Sequence, residues 1–105
     1  MEMTSNLPEM YESFTRRYPK LKAAWEKIAE AGKEGPLDEK TIRLVKLAVA
    51  IGSLKEGAVH ASIRKAAALN IPREEIEQVI CLAAGTIGLP STVAVYSWAK
   101  DLLKA

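Results

Sequence analysis

The sequence predicts an all-α fold, and three observations carry that prediction. Prolines and glycines fall where helices begin and end: Pro8, Pro19, Pro72 and Pro90 can each stand at a first helical position, where the missing amide hydrogen costs nothing. Apolar residues recur at helical spacing, and no stretch alternates apolar with polar residues convincingly enough to compete as a strand. Apolar residues make up 49% of the chain and aromatics only 6%, so the core is built from Ala, Leu, Ile and Val, which suits packed helices. At 105 residues the chain is expected to form one domain around one core, with residues 1–6 as a disordered N-terminus.

About six helices follow from this punctuation. The first runs from about Pro8 to Arg17. The second runs from about Pro19 to Glu30, with Leu21, Ala24, Trp25, Ile28 and Ala29 on one face. "GKEGP" (Gly32 to Pro36) reads as a linker, after which Asp38 can cap a third helix reaching about Ile51. Within it "IRLVKLAVAI" carries only Arg43 and Lys46 as polar residues, so burial on nearly all sides is expected. Gly52 reads as the end of that helix, and "SLKE" from Ser53 as a capping box that starts the fourth. The fourth helix extends to about Leu69, where Asn70 suits a left-handed turn. Pro72 opens the fifth, with Ile76, Val79, Ile80 and Ala83 as its buried stripe. "GTIGLP" is a tight apolar turn, and Pro90 opens the last helix, which carries Tyr96 and Trp98.

Composition narrows the function. Fifteen basic and thirteen acidic residues are interleaved to a net charge of +2, which gives no basic face for nucleic acid. The basic run "RRYPKLK" holds one aromatic and reads as a solvated face. The longest apolar run, "LAVAI", is far too short to cross a bilayer, and "MEMTSNLPEMYES" lacks the pattern of a secretory signal, so a cytoplasmic location without a membrane partner is expected. With one cysteine and one histidine the chain has no two-cysteine motif, and neither a metal nor another cofactor is expected. Cys81, on an apolar stretch, reads as a buried structural thiol. The apolar girth of the third and fifth helices points to burial between subunits.

Helical spacing sets Glu56, His60 and Arg64 on one stripe of the fourth helix. As a surface row these make two weak charge pairs. As a site, Glu56 orients His60, the side chain type whose ordinary titration range spans neutrality and which therefore suits proton transfer. Ser62 falls on the inward face, where it either bonds back to the carbonyl four positions earlier or lines a pocket between the third and fourth helices. Arg43 either reaches solvent or binds a carboxylate, for which a guanidinium is suited. Lys46 is expected to reach solvent, and Tyr96 and Trp98 to make core or subunit contacts.

The order "GPLDEKTIRLVKLAVAIG", "EGAVHASIRKAAALNIPREEIEQVICLAAGTIGLP" and "AVYSWAKDLL" resembles the carboxymuconolactone decarboxylase family, which includes the AhpD-like alkyl hydroperoxide reductase components. The resemblance covers about Leu7 to Leu103. It implies a compact helical unit assembling into trimers or hexamers, with the active-site segment at "EGAVHASIRKAA". The redox branch carries a C-x-x-C pair, a histidine and a glutamate, which fall here on Lys55, Ala58, Ser62 and Arg43. A dithiol peroxidase is therefore not expected, and a peroxidase using Cys81 alone would need a reactive thiol. What the resemblance leaves is a non-redox member binding a small carboxylated or lactone-like molecule, or decarboxylating it. His60 and Glu56 would be catalytic, and Arg43, Ser62 and Arg64 would bind substrate. The other reading is a non-catalytic oligomeric binding or assembly module.

Overall fold

The structure, a computed structural model, describes the backbone of residues 3–103 and the side chains of residues 9–103. Its six helices are α1 (Met3–Arg17), α2 (Pro19–Gly32), α3 (Glu39–Ser53), α4 (Glu56–Ala68), α5 (Arg73–Ile87) and α6 (Leu89–Lys100), and no strand occurs among the described residues. The chain divides into two compact units, Met1–Pro36 and Leu37–Ala105, at the linker that the glycines and Pro36 mark.

In the first unit α1 packs on α2. Proline disfavours helical backbone in the residue before it, and Tyr18, with φ −126° and ψ 71°, makes the break ahead of Pro19. The Tyr18 ring lies 5.1 Å from that of Phe14, and the Arg17 guanidinium sits 5.9 Å from its centroid. The sequence reading starts α1 too late. Helix begins at Met3, so 3–6 are helical rather than disordered, while residues 1–2 lie outside the described residues. Pro8 stands inside the helix, where a missing amide removes one bond without ending it. The apolar face of α2 is present and uncovered: Leu21, Trp25 and Ile28 are all more than half exposed.

The second unit is a four-helix cluster in which α3 packs on α4 and α5, and α6 packs on α5 and α4. Leu47, Ile51, Val59, Ile63, Ile76 and Val95 are fully buried at its centre, with Trp98 half-buried against them. Counting all buried residues, Leu47 and Ile51, Val59, Ile63 and Ala66, Ile76 and Ile80, and Val95 and Ala99 stand three or four residues apart on their helices, which is why a local pattern finds them. The girth of α3 does not translate into burial: only Leu47 and Ile51 are buried, and Val45 and Val49 stay exposed. On α5 Ile76 and Ile80 are buried, while Val79 and Ala83 are half-buried at the edge.

The helix ends show which local signals prevail. Asp38 caps α3 as expected, its carboxylate accepting the Thr41 amide at 2.7 Å. Hydrogen bonding from Thr41, through its side chain and its amide, holds the Asp38 carboxyl below its ordinary range. A folded pKa below the unfolded one contributes stability above the unfolded value, and that contribution disappears as pH falls through the folded value. Asp38→Ala is therefore expected to lower the urea midpoint at pH 7, with the gap to wild type closing as pH drops below the ordinary 3.8. A gap independent of pH would show that the charge of the cap contributes nothing.

Between α3 and α4 the expected capping box does not form. Helix α3 runs through Gly52 to Ser53, and Leu54 ends it in left-handed backbone at φ 56°. Ser53 Oγ donates to the Ala50 carbonyl at 2.6 Å and accepts the Lys55 amide at 3.3 Å. Its hydroxyl thus closes the end of α3 and braces the turn, which leaves Lys55 as the residue preceding α4, without a side-chain cap. Asn70 takes the left-handed turn after α4, at φ 60°, as its type predicts. Pro72 lies just before α5 rather than inside it, and Gly88, at φ 87°, alone separates α5 from α6.

Candidate functional site

All five residues singled out by the sequence lie on α3 and α4, the most extensively packed pair of helices. The structure divides them into two groups. Glu56 and His60 meet across one turn of α4, with His60 Nε2 at 3.5 Å from Glu56 Oε2. Both touch solvent, the carboxylate more than the imidazole, whose side chain is 29% exposed. Arg64, one turn further, is exposed and makes no ion pair or hydrogen bond among the described residues, so only one of the two expected pairs forms.

The second group is Ser62 and Arg43. Ser62 is 5% exposed, and its Oγ has no hydrogen-bond partner among the described residues. The expected bond back to the carbonyl four residues earlier is absent. Thr92 makes that bond instead, its Oγ1 donating to the Gly88 carbonyl at 2.8 Å. Arg43 is half-buried, and its Nε is likewise buried without a partner among the described residues. Buried polar atoms are nearly always paired, because an unmet one forfeits its bond to water for nothing. The two atoms lie on α3 and α4, helices that pack on each other.

His60 and Ser62 are two residues apart on one helix, which turns their side chains about 160° apart around its axis. Their burial agrees, one at the solvent boundary and one inside. The imidazole of His60 and the hydroxyl of Ser62 thus occupy opposite flanks of the apolar stripe formed by Val59, Ile63 and Ala66.

A hollow lies away from all five of these residues. It measures about 650 Å³, runs between α3 and α5, and is lined mainly by apolar side chains, with Thr41, Glu75, Gln78 and Thr86 among them. None of the five residues lines it. Glu75 is held by Lys40 at 2.7 Å, so its charge is already answered. The unpaired atoms of α3 and α4 are taken as the candidate site, because the one charged side chain lining the trough already has its partner. No local pattern in the sequence shows that α3 and α5 leave a trough between them.

Cys81 is exposed, which overturns the buried reading: it lies on the outer side of α5, away from the core stripe of Ile76 and Ile80. Lys46 is exposed as expected. Among the described residues no group of three or more His, Cys, Asp or Glu could hold a metal ion, and no helix is long and apolar enough to cross a membrane. The sequence model of the carboxymuconolactone decarboxylase family matches residues 19–101, which takes in α2 to α6 and every residue of the candidate site. Nothing among curated proteins or solved structures matches the chain.

Proposed function

Since this chain belongs to the carboxymuconolactone decarboxylase family, we propose that it is a non-redox member which binds a small carboxylated, lactone-like molecule between α3 and α4. The observation that carries this reading is the pair of buried, unpartnered atoms, Arg43 Nε and Ser62 Oγ. A guanidinium edge and a hydroxyl together suit a planar oxyanion, which accepts from both. Arg64, exposed and unpaired on the same helix, supplies a further positive charge to draw an anion in. The positions that hold cysteines in the redox branch are Lys55 and Ala58 here, which removes dithiol peroxide chemistry from the reading.

If the molecule is also turned over, the reaction is decarboxylation. The bond from carbon to the carboxylate breaks, its electron pair passes into a dienolate, carbon dioxide leaves, and a proton is delivered to carbon. Arg43 is the group for the developing oxyanion, and His60, oriented by Glu56, is the proton donor. The opposite flanks of Ser62 and His60 favour the second reading, a binding module in which this proton step is lost. In either case the protein is read as a homo-oligomer, as members of the family often are, without nucleic acid or membrane partners.

One titration separates the two readings. Small carboxylates are added to the protein while the imidazole C2 proton of the single histidine is followed by NMR and affinity by calorimetry. Binding that weakens at least about tenfold in Arg43→Ala, the loss expected for a charge-assisted bond, supports the site. Equal binding by that variant sinks it. A His60 resonance that moves on binding favours catalysis, for which His60→Ala should cost about 10²–10⁴ in rate. A His60 signal indifferent to a ligand that does bind favours the module.

A further inference from the structure

Leu44, Ala48 and Gly52 stand four residues apart on α3, so one stripe of that helix carries side chains that shrink from leucine to nothing. Ala83 adds a small side chain on α5, and these positions line the trough of about 650 Å³ between the two helices. A methyl group placed on Gly52 would meet no atom within 4 Å. Leu44, Val79 and Ala83 form a half-buried floor packed on the core, while Val45 and Leu82 flank it, 48% and 70% exposed. The lining runs from Thr41 to Gly52 along α3, a length of about 16 Å at the helical rise. Spread over that length the hollow is about 7 Å across, too narrow for a helix with its side chains, at about 10–12 Å, and wide enough for one extended alkyl chain.

We propose that the α3–α5 trough is a second binding site, which takes a small, uncharged, elongated molecule with an apolar body and one hydrogen-bonding end, of the class of a medium-chain alcohol. Width selects a small molecule over a helix of a protein partner, and charge selects the head group. Among the described residues Glu75 is the one charged side chain in the lining, and Lys40 already answers it at 2.7 Å. A cationic head would have to displace Lys40. An anionic head would meet Glu75 where the helix starts also carry Asp38, Glu39 and Glu74. The side chains of Gln78 and Thr86 make no hydrogen bond to the described residues, so they can donate to and accept from a neutral group without breaking an existing contact. An apolar lining with a few polar groups that fix orientation is the ordinary anatomy of a small-molecule site. The trough is separate from the carboxylate site between α3 and α4, and asks for a ligand of the opposite kind.

Full-length protein is titrated by calorimetry with hexanol, octanol and decanol, and with decanoate as the charged counterpart. Affinity should rise about tenfold for each two methylenes added, as their burial from water requires, and decanoate should bind at least about tenfold more weakly than decanol. Methyl NMR of the wild type should show Val45, Val79 and Leu82 shifting with decanol, a readout that needs no variant. Ala48→Phe, which fills the hollow from an exposed position, should weaken decanol at least about tenfold at unchanged helical circular dichroism. Val49→Phe, exposed on the same helix but outside the lining, and Arg43→Ala should bind decanol as the wild type does. Decanol that fails to bind, that shifts methyl groups elsewhere, or that binds a folded Ala48→Phe equally well overturns the proposal. Decanoate binding more tightly than decanol overturns it too, and loss of that binding in Arg43→Ala would support the α3–α4 site. Decanol that binds only once dilution has dissociated the protein overturns it as well, and indicates that a second copy covers the trough.

Discussion

Leu47→Ala should destabilise the protein by about 3–5 kcal/mol, the upper part of the range for a leucine truncated in a core that cannot collapse onto the space left. Leu47 is 0% exposed and belongs to the same core cluster as Ile63 and Ile76, on a helix that packs against both α4 and α5. Rigid helices hold its neighbours at fixed spacing, so the cavity persists. Marginal domains have only about 5–15 kcal/mol in total, and the variant is expected to lie near the edge of folding. Urea denaturation at one fixed protein concentration measures it, with an unchanged slope required for the comparison. A loss below about 1 kcal/mol would mean that α3 does not pack on the cluster as described. Val49→Ala, on the same helix but at a residue 67% exposed, should shift stability by less than about 0.5 kcal/mol.

Ser62→Ala should act in the opposite direction. A buried hydroxyl without a partner costs about 1–3 kcal/mol of desolvation, and alanine removes it while leaving almost no cavity. A gain of about 1 kcal/mol is expected in the ligand-free protein, together with weaker carboxylate binding. The control is Thr92→Val. That residue is nearly as buried at 7% exposure, but its hydroxyl is bonded to the Gly88 carbonyl, so a loss of about 1 kcal/mol is expected. Opposite signs at two equally buried hydroxyls would identify Ser62 as a residue retained for binding rather than for stability. A destabilised Ser62→Ala would mean that the hydroxyl is satisfied in the folded protein, and the candidate site would lose half its basis.

Much of the fold was legible because its determinants are local. Asp38, Pro19 and Asn70 act on backbone groups within a few residues of themselves, and the stripes of α4 and α5 follow from helical period alone. The misreadings have a common cause. Ser53 matched a helix-start signature, but the same hydroxyl also serves the end of α3, and only the geometry of the turn decides between the two. Cys81 is apolar in type, and type reports a preference for burial without saying which flank a neighbour covers.

The candidate site divides in the same way. The sequence by itself determined the residues on each stripe of α4, and hence that Glu56 reaches His60, because one turn of helix fixes that spacing. The tertiary structure alone decided that Ser62 Oγ and Arg43 Nε are buried without partners among the described residues, and that none of the five site residues lines the α3–α5 trough. Helical period acts over four residues and is written in the chain. Burial depends on which helices meet, and that is a property of the packed whole.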